Sequence, residues 1–152
     1  MKRRSRRGRD DRGAVLVEFA ILTPLLFLIV FGIIEFGWAF YQDLDVRHGS
    51  RETARLVAVN YKSTPSDAGA TQTTAIVSAA CDRMDAKSNV SVTLSRTGTA
   101  IGDTATITVS KPLDQLTGYL GFALNGKTLT STVSIRLEQV ATWSTVSNQA
   151  CP

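Results

Sequence analysis

Hydrophobic and polar positions divide this chain sharply. Residues 14–41 read AVLVEFAILTPLLFLIVFGIIEFGWAFY, 28 residues in which only Glu18 and Glu35 are charged. As a helix this stretch reaches about 42 Å, and about 20 residues suffice to cross the ~30 Å hydrocarbon of a bilayer. The pattern predicts one transmembrane helix, with Trp38 and Tyr41 at the interface where amphipathic rings settle. Pro24 has no N–H to bond residue 20 and biases Thr23 away from helix, so a kink is expected there. Residues 42–60 keep helical spacing, with Val46, Gly49, Thr53 and Val57 on one stripe. The same helix is therefore expected to continue into solvent with a packing face.

Downstream the period changes. Residues 61–69 (YKSTPSDAG) carry loop chemistry, and residues 70–86 return to helical spacing through Ile76, Ala80 and Met84. Three alternating runs then predict strands: Val90, Val92 and Leu94; Ala105, Ile107 and Val109; Val133, Ile135 and Leu137. Residues 97–103 turn the first into the second, and Lys111 and Pro112 end the second. Between the second and third lies LDQLTGYLGFAL, residues 113–124, apolar without a clear period. The expected fold class is α+β. A long N-terminal transmembrane helix continues into a small external domain with a second helix and a three-stranded antiparallel sheet, which needs the helix as cover.

Length and charge refine this picture. At 152 residues the chain suits one ordinary domain, and 43% hydrophobic with 20% charged residues excludes a wholly disordered chain and a polytopic membrane protein. The net charge of +4 is unevenly spread, because Lys2, Arg3, Arg4, Arg6, Arg7, Arg9 and Arg12 face only Asp10 and Asp11 in residues 1–13. That tail carries +5 and leaves −1 for the rest, so the basicity gives no support for nucleic-acid binding. It does predict topology: N-terminus cytoplasmic, residues 42–152 outside. A cleaved secretory signal is disfavoured by the length of the apolar core and the lack of a small-x-small site after it. A twin-arginine signal is disfavoured because Gly8, Arg9, Asp10 and Asp11 follow the arginine pair. The organisation expected is a basic leader 1–13, a membrane helix 14–41 and an extracytoplasmic domain 42–152.

A carboxylate inside a membrane span costs about 3 kcal/mol and needs a partner or a purpose. Glu35 reads as an interfacial acid that snorkels or protonates. It lies about 26 Å along the axis from Glu18 and about 100° around, which excludes a paired-carboxylate acid/base site. Glu18 is different. Gly13, Ala14 and Glu18 behind a short basic tail resemble a class III signal sequence, the type cut by prepilin peptidases after the glycine. The wider pattern adds Val17-Glu18-Phe19-Ala20, Pro24, Phe31-Gly32, Glu35-Phe36-Gly37 and Ser50-Arg51-Glu52-Thr53-Ala54-Arg55. Together these residues resemble the TadE-like family, minor pilins or pseudopilins of the tight-adherence (Tad/Flp) pilus system. The similarity is dense over residues 12–57; Gly49 and Thr53 stand where small alanine-like residues are commoner. The resemblance implies a pilin-like fold, processing between Gly13 and Ala14, and subunit assembly through Glu18 and Phe19. Implied partners are a prepilin peptidase, the inner-membrane platform and assembly ATPase, the major Flp pilin and other minor pilins, together with membrane lipid. Physics agrees on one point: cleavage would leave an α-amine at Ala14 one helical turn from Glu18, and such an amine can offset a neighbouring subunit's buried Glu18. The different-class alternative is an uncleaved, single-pass membrane-anchored surface binding protein.

Arg47, Arg51 and Arg55 recur every four residues, with Asp43 one turn before Arg47. They form either a solvated or headgroup-touching face or a contact for acidic groups on a neighbouring pilin. Cys81 and Cys151 are the two cysteines and both fall on the expected outer side, where a disulfide persists; unpaired or intermolecular thiols are the alternative. His48 is the one histidine, so a multi-histidine metal site is excluded, and Ser50 sits about 200° around the helix from it, which breaks an Asp45–His48–Ser50 triad. No phosphate-binding glycine pattern is present. The residues point to no enzyme, no cofactor and no metal.

Overall fold

The computed structural model describes residues 7–152, with side chains from residue 13 onward. Of the expected leader, Lys2, Arg3, Arg4 and Arg6 lie outside the described residues, and the side chains of Arg7, Arg9 and Arg12 outside the described side chains. Helix α1, Arg7–Ala58, runs 52 residues, about 78 Å. The helical backbone continues without a break through Pro24, where Thr23 Oγ1 donates to the Phe19 carbonyl at 2.6 Å. At its far end α1 stops in a Schellman turn. Asn60 takes the left-handed conformation (φ 51°), and the amides of Tyr61 and Asn60 bond the carbonyls of Leu56 and Val57.

The remaining elements are α2 (Gly69–Cys81), β1 (Ser91–Arg96), β2 (Thr104–Pro112), α3 (Gly121–Leu124), β3 (Thr128–Arg136) and β4 (Val146–Ala150). All strand pairs are antiparallel, in the order β3-β2-β1-β4. The sheet thus has four strands where alternation predicts three. Strand β4 (VSNQA) has no alternation to read; it is an edge strand paired to β1 from Ser91↔Ala150 to Leu94↔Val146, with an irregularity between Val92 and Leu94. The three alternating runs behave as expected: Val90, Val92, Leu94, Ala105, Ile107, Val109 and Leu137 are buried, with Val133 and Ile135 packed at the margin.

The covered face of the sheet meets the outer part of α1 and, through it, α2. Val46, Gly49, Thr53 and Val57, the stripe read from helical spacing, are buried there. Ile76, Val77, Ala80 and Met84 close the core from the side of α2, and Trp143 is fully buried with the Arg96 guanidinium 4.7 Å from its ring centre. The opposite face is lined with hydroxyls that bond across strands, Ser91 to Ser110 at 2.8 Å, Thr108 to Thr132 at 3.0 Å and Thr106 to Ser134 at 3.1 Å. A polar face of this kind can stand in water, so one layer of helix suffices.

Candidate functional site

Residues 13–30 of α1 have no cover of their own. Val15, Leu16, Phe19 and Ile21 are each more than 60% exposed, and Ile33 is 70% exposed. Among the described residues, the helical stretch Gly13–Ala58 is the one long and apolar enough to cross a membrane, with a mean hydropathy of 2.6 in its most apolar window. An uncovered apolar surface of this length is far larger than soluble monomers carry, and it demands lipid, other helices or both. Glu18 lies on this exposed surface, as do Gly13, Ala14 and Phe19. A Cβ at Gly13 would meet nothing within 4 Å, so packing within the chain does not require glycine there.

Glu35 departs from expectation. Rather than an acid free to reach solvent, it is buried beneath residues 113–124, the segment whose structure the sequence left open. Its carboxylate accepts from the Leu116 amide at 3.0 Å, the Thr117 amide at 2.9 Å and the Thr117 hydroxyl at 2.5 Å. Two turns further along, buried Gln42 grips the base of the same segment. Its Nε2 donates to the Asp114 carbonyl at 2.7 Å and its Oε1 accepts from the Asp114 amide at 3.0 Å. That Oε1 also accepts from Lys111 Nζ at 3.1 Å, and the fully buried Lys111 is paired with the Asp114 carboxylate. The buried side chains of Glu35, Gln42 and Lys111 therefore each have a polar partner, as they must where water is absent. One cue was available in the sequence: Glu35 and Gln42 are seven residues apart and so lie on the same helical face that continues into Val46 and Thr53. Their partners lie 69 to 82 residues away, which no local pattern encodes.

The three arginines occupy an exposed face, and two have partners on α1 itself: Arg47 with Asp43 at 2.8 Å and Arg55 with Glu52 at 2.7 Å. Arg83 also pairs with Glu52. Arg51 is exposed. The three residues of the discarded triad go separate ways. Asp45 accepts from the amides of Asp85 and Ala86, His48 is exposed, and Ser50 Oγ bonds Ser131 Oγ at 2.8 Å. Among the described residues, no group of three or more His, Cys, Asp or Glu side chains is arranged to hold a metal ion. Cys81 and Cys151 form a disulfide with a Cα–Cα distance of 5.8 Å, which ties the end of β4 to the end of α2.

No curated protein and no solved structure matches this chain. The family model described as TadE-like protein matches residues 13–55, from the exposed glycine before Ala14 to Arg55 on the packed part of α1, and the N-terminal segment of this chain is therefore TadE-like.

Proposed function

We propose that this chain is a minor pilin or pseudopilin of a Tad-type pilus, cut between Gly13 and Ala14 by a prepilin peptidase. On this reading it sits in a bacterial cytoplasmic membrane as a single-pass protein, N-terminus inside and residues 42–152 outside. The observation that carries the reading is the TadE-like match beginning at Gly13, ahead of a helix half that has no cover within its own fold. Such a helix is stable in lipid and can leave it only for a bundle of similar helices, which is the chemistry of a pilus core. Removal of the basic leader takes +5 from the cytoplasmic end and leaves an amine at Ala14 on the same side of α1 as Glu18. In a bundle, the amine of one subunit and Glu18 of the next neutralise each other and set the axial register. Platform protein, assembly ATPase, major pilin and other minor pilins are the partners this role requires.

N-terminal analysis of the protein from native membranes and shed surface material tests the reading. A start at Ala14 that reverts to the full leader when the prepilin peptidase is deleted is expected; an intact leader in both cells rejects processing and favours an anchored binding protein. In the same cells Glu18→Ala should insert normally and fail to enter assemblies. Normal incorporation of that variant would remove Glu18 from the assembly contact.

A further inference from the structure

We infer that residues 113–127, the excursion between β2 and β3, form a second membrane contact that lies in the outer leaflet beside α1. This rests on the membrane-spanning reading of α1 given above. The contacts of the segment with α1 give its direction. Asp114 meets Gln42, Leu116 and Thr117 meet Glu35, and the Tyr119 ring lies 5.3 Å from that of Phe31. From Gln42 to Phe31 the helix axis descends about 16 Å, so the segment runs down α1 toward the apolar end rather than away from it. Residues 14–34 alone make about 32 Å of helix, enough to fill the hydrocarbon. Glu35 then marks its outer boundary, and Tyr119 reaches that boundary or passes it.

The side chains suit such a position. Between Asp114 and Lys127 no residue is charged. Leu120 is buried inward, while Phe122 is 88% exposed and Leu116 and Tyr119 about half exposed. Leu116, bonded to Glu35, and Tyr119, against Phe31, share their level with Ile33 and Phe36 of α1, which are exposed too, so whatever solvates the helix there also solvates this part of the segment. An irregular backbone enters an apolar medium only when its polar groups are satisfied internally. Most amides of the segment meet this condition: those of Leu116 and Thr117 are taken by Glu35, that of Asp114 by Gln42, and those of Gly121 and Asn125 by carbonyls of the segment itself. At the neck the Leu113 amide bonds the Lys127 carbonyl at 2.8 Å and closes the loop. The occupant that fits is lipid at the depth of the interface and upper acyl chains, where amphipathic and apolar side chains settle without crossing. With two contacts in place of one, the external domain and the α1 packed into it are held at a fixed height and tilt relative to the bilayer.

The test places one nitroxide at a time on the full chain in vesicles of phosphatidylethanolamine and phosphatidylglycerol. The sites are Phe122→Cys, with Leu26→Cys in α1 and Val140→Cys on the external domain as references. The native cysteines are bridged, and all three positions are exposed, so labelling leaves the fold in place. Collision with oxygen relative to a water-soluble nickel chelate should be severalfold higher at 122 than at 140 and should approach the value at 26. Chelate access at 122 equal to that at 140, with 26 protected, overturns the inference and leaves the spanning helix intact. Chelate access at 26 overturns both. Protection at 122 that disappears as protein is diluted in lipid overturns the inference in favour of a contact between copies. Phe122→Ser with the label moved to Leu116→Cys should raise chelate access there, whereas unchanged protection at 116 would show that Phe122 does not hold the segment in the membrane and would count against the inference.

Discussion

Asp67 organises the loop between α1 and α2 by itself. Its carboxylate accepts from the Ser63 amide at 2.9 Å, the Ser63 hydroxyl at 2.6 Å, the Thr64 amide at 2.9 Å and the Thr64 hydroxyl at 2.7 Å. Donors converging on the charged form hold this carboxyl well below the usual carboxylate range, the Ser63 hydroxyl contributing most. With the folded value depressed, the contribution to loop order is complete above the unfolded value and is lost as pH falls through the folded one. Amide exchange at Ser63 and Thr64 should therefore stay slow at neutral pH and accelerate in strong acid. In Asp67→Asn it should already be faster at neutral pH, and the acid-dependent step should be gone. Serine, proline, aspartate and glycine in residues 61–69 made this a loop on sight, because such residues favour local side-chain to backbone bonds. Glu35 was not legible in the same way. A carboxylate near a membrane interface has an adequate local explanation, and the amides that bury it come from the other side of the sheet's second strand.

At the scale of elements, α1 carries two incompatible surfaces end to end, a greasy cylinder and then a narrow stripe. The stripe is tightest at Gly49, where a Cβ would overlap the Met84 sulfur and the thioether would have to move aside. Gly49→Val, whose added volume exceeds what the thioether can yield, should therefore destabilise the α+β domain by about 1 to 3 kcal/mol, since added volume in a packed core forces side chains off their preferred rotamers. Denaturant unfolding in detergent micelles measures it. In combination with Met84→Ala the loss should be smaller than the sum of the two single changes, because the pair shares one contact. The family resemblance placed Gly49 where alanine-like residues are commoner, and the thioether lying against it supplies a reason particular to this chain. Strands β1 and β2 were read correctly from alternation because one face is buried and the other solvated. Strand β4 escaped because an edge strand of Val, Ser, Asn, Gln and Ala has no apolar face to advertise.

For the molecule as a whole, the disulfide ties the C-terminal edge to the fold beside the pairing of β4 with β1. It joins residues 70 apart in sequence, and constraining a loop of that length contributes about 4 kcal/mol on the chain-entropy model. Reduction, or Cys151→Ser, should lower stability by about that amount and release β4 first, read as rapid amide exchange across 146–150 while β2 and β3 remain protected. Equal protection before and after reduction would mean that pairing with β1 alone holds the edge. What the sequence by itself determined is what short-range periodicity and composition encode: a membrane-length apolar helix, the basic residues before it, the packing stripe beyond it, three of the strands and the likeness to TadE-like proteins. These follow from spacing within one element, where 3.6-residue and 2-residue periods translate directly into faces. Only the tertiary structure decided that residues 113–119 descend along α1, that buried Gln42 and Lys111 share the half-exposed Asp114 while Glu35 is buried apart from them against Leu116 and Thr117, and that β4 completes the sheet. Each of these depends on groups far apart in the chain meeting where water is excluded, and desolvation acts on distances in space that the order of residues does not contain.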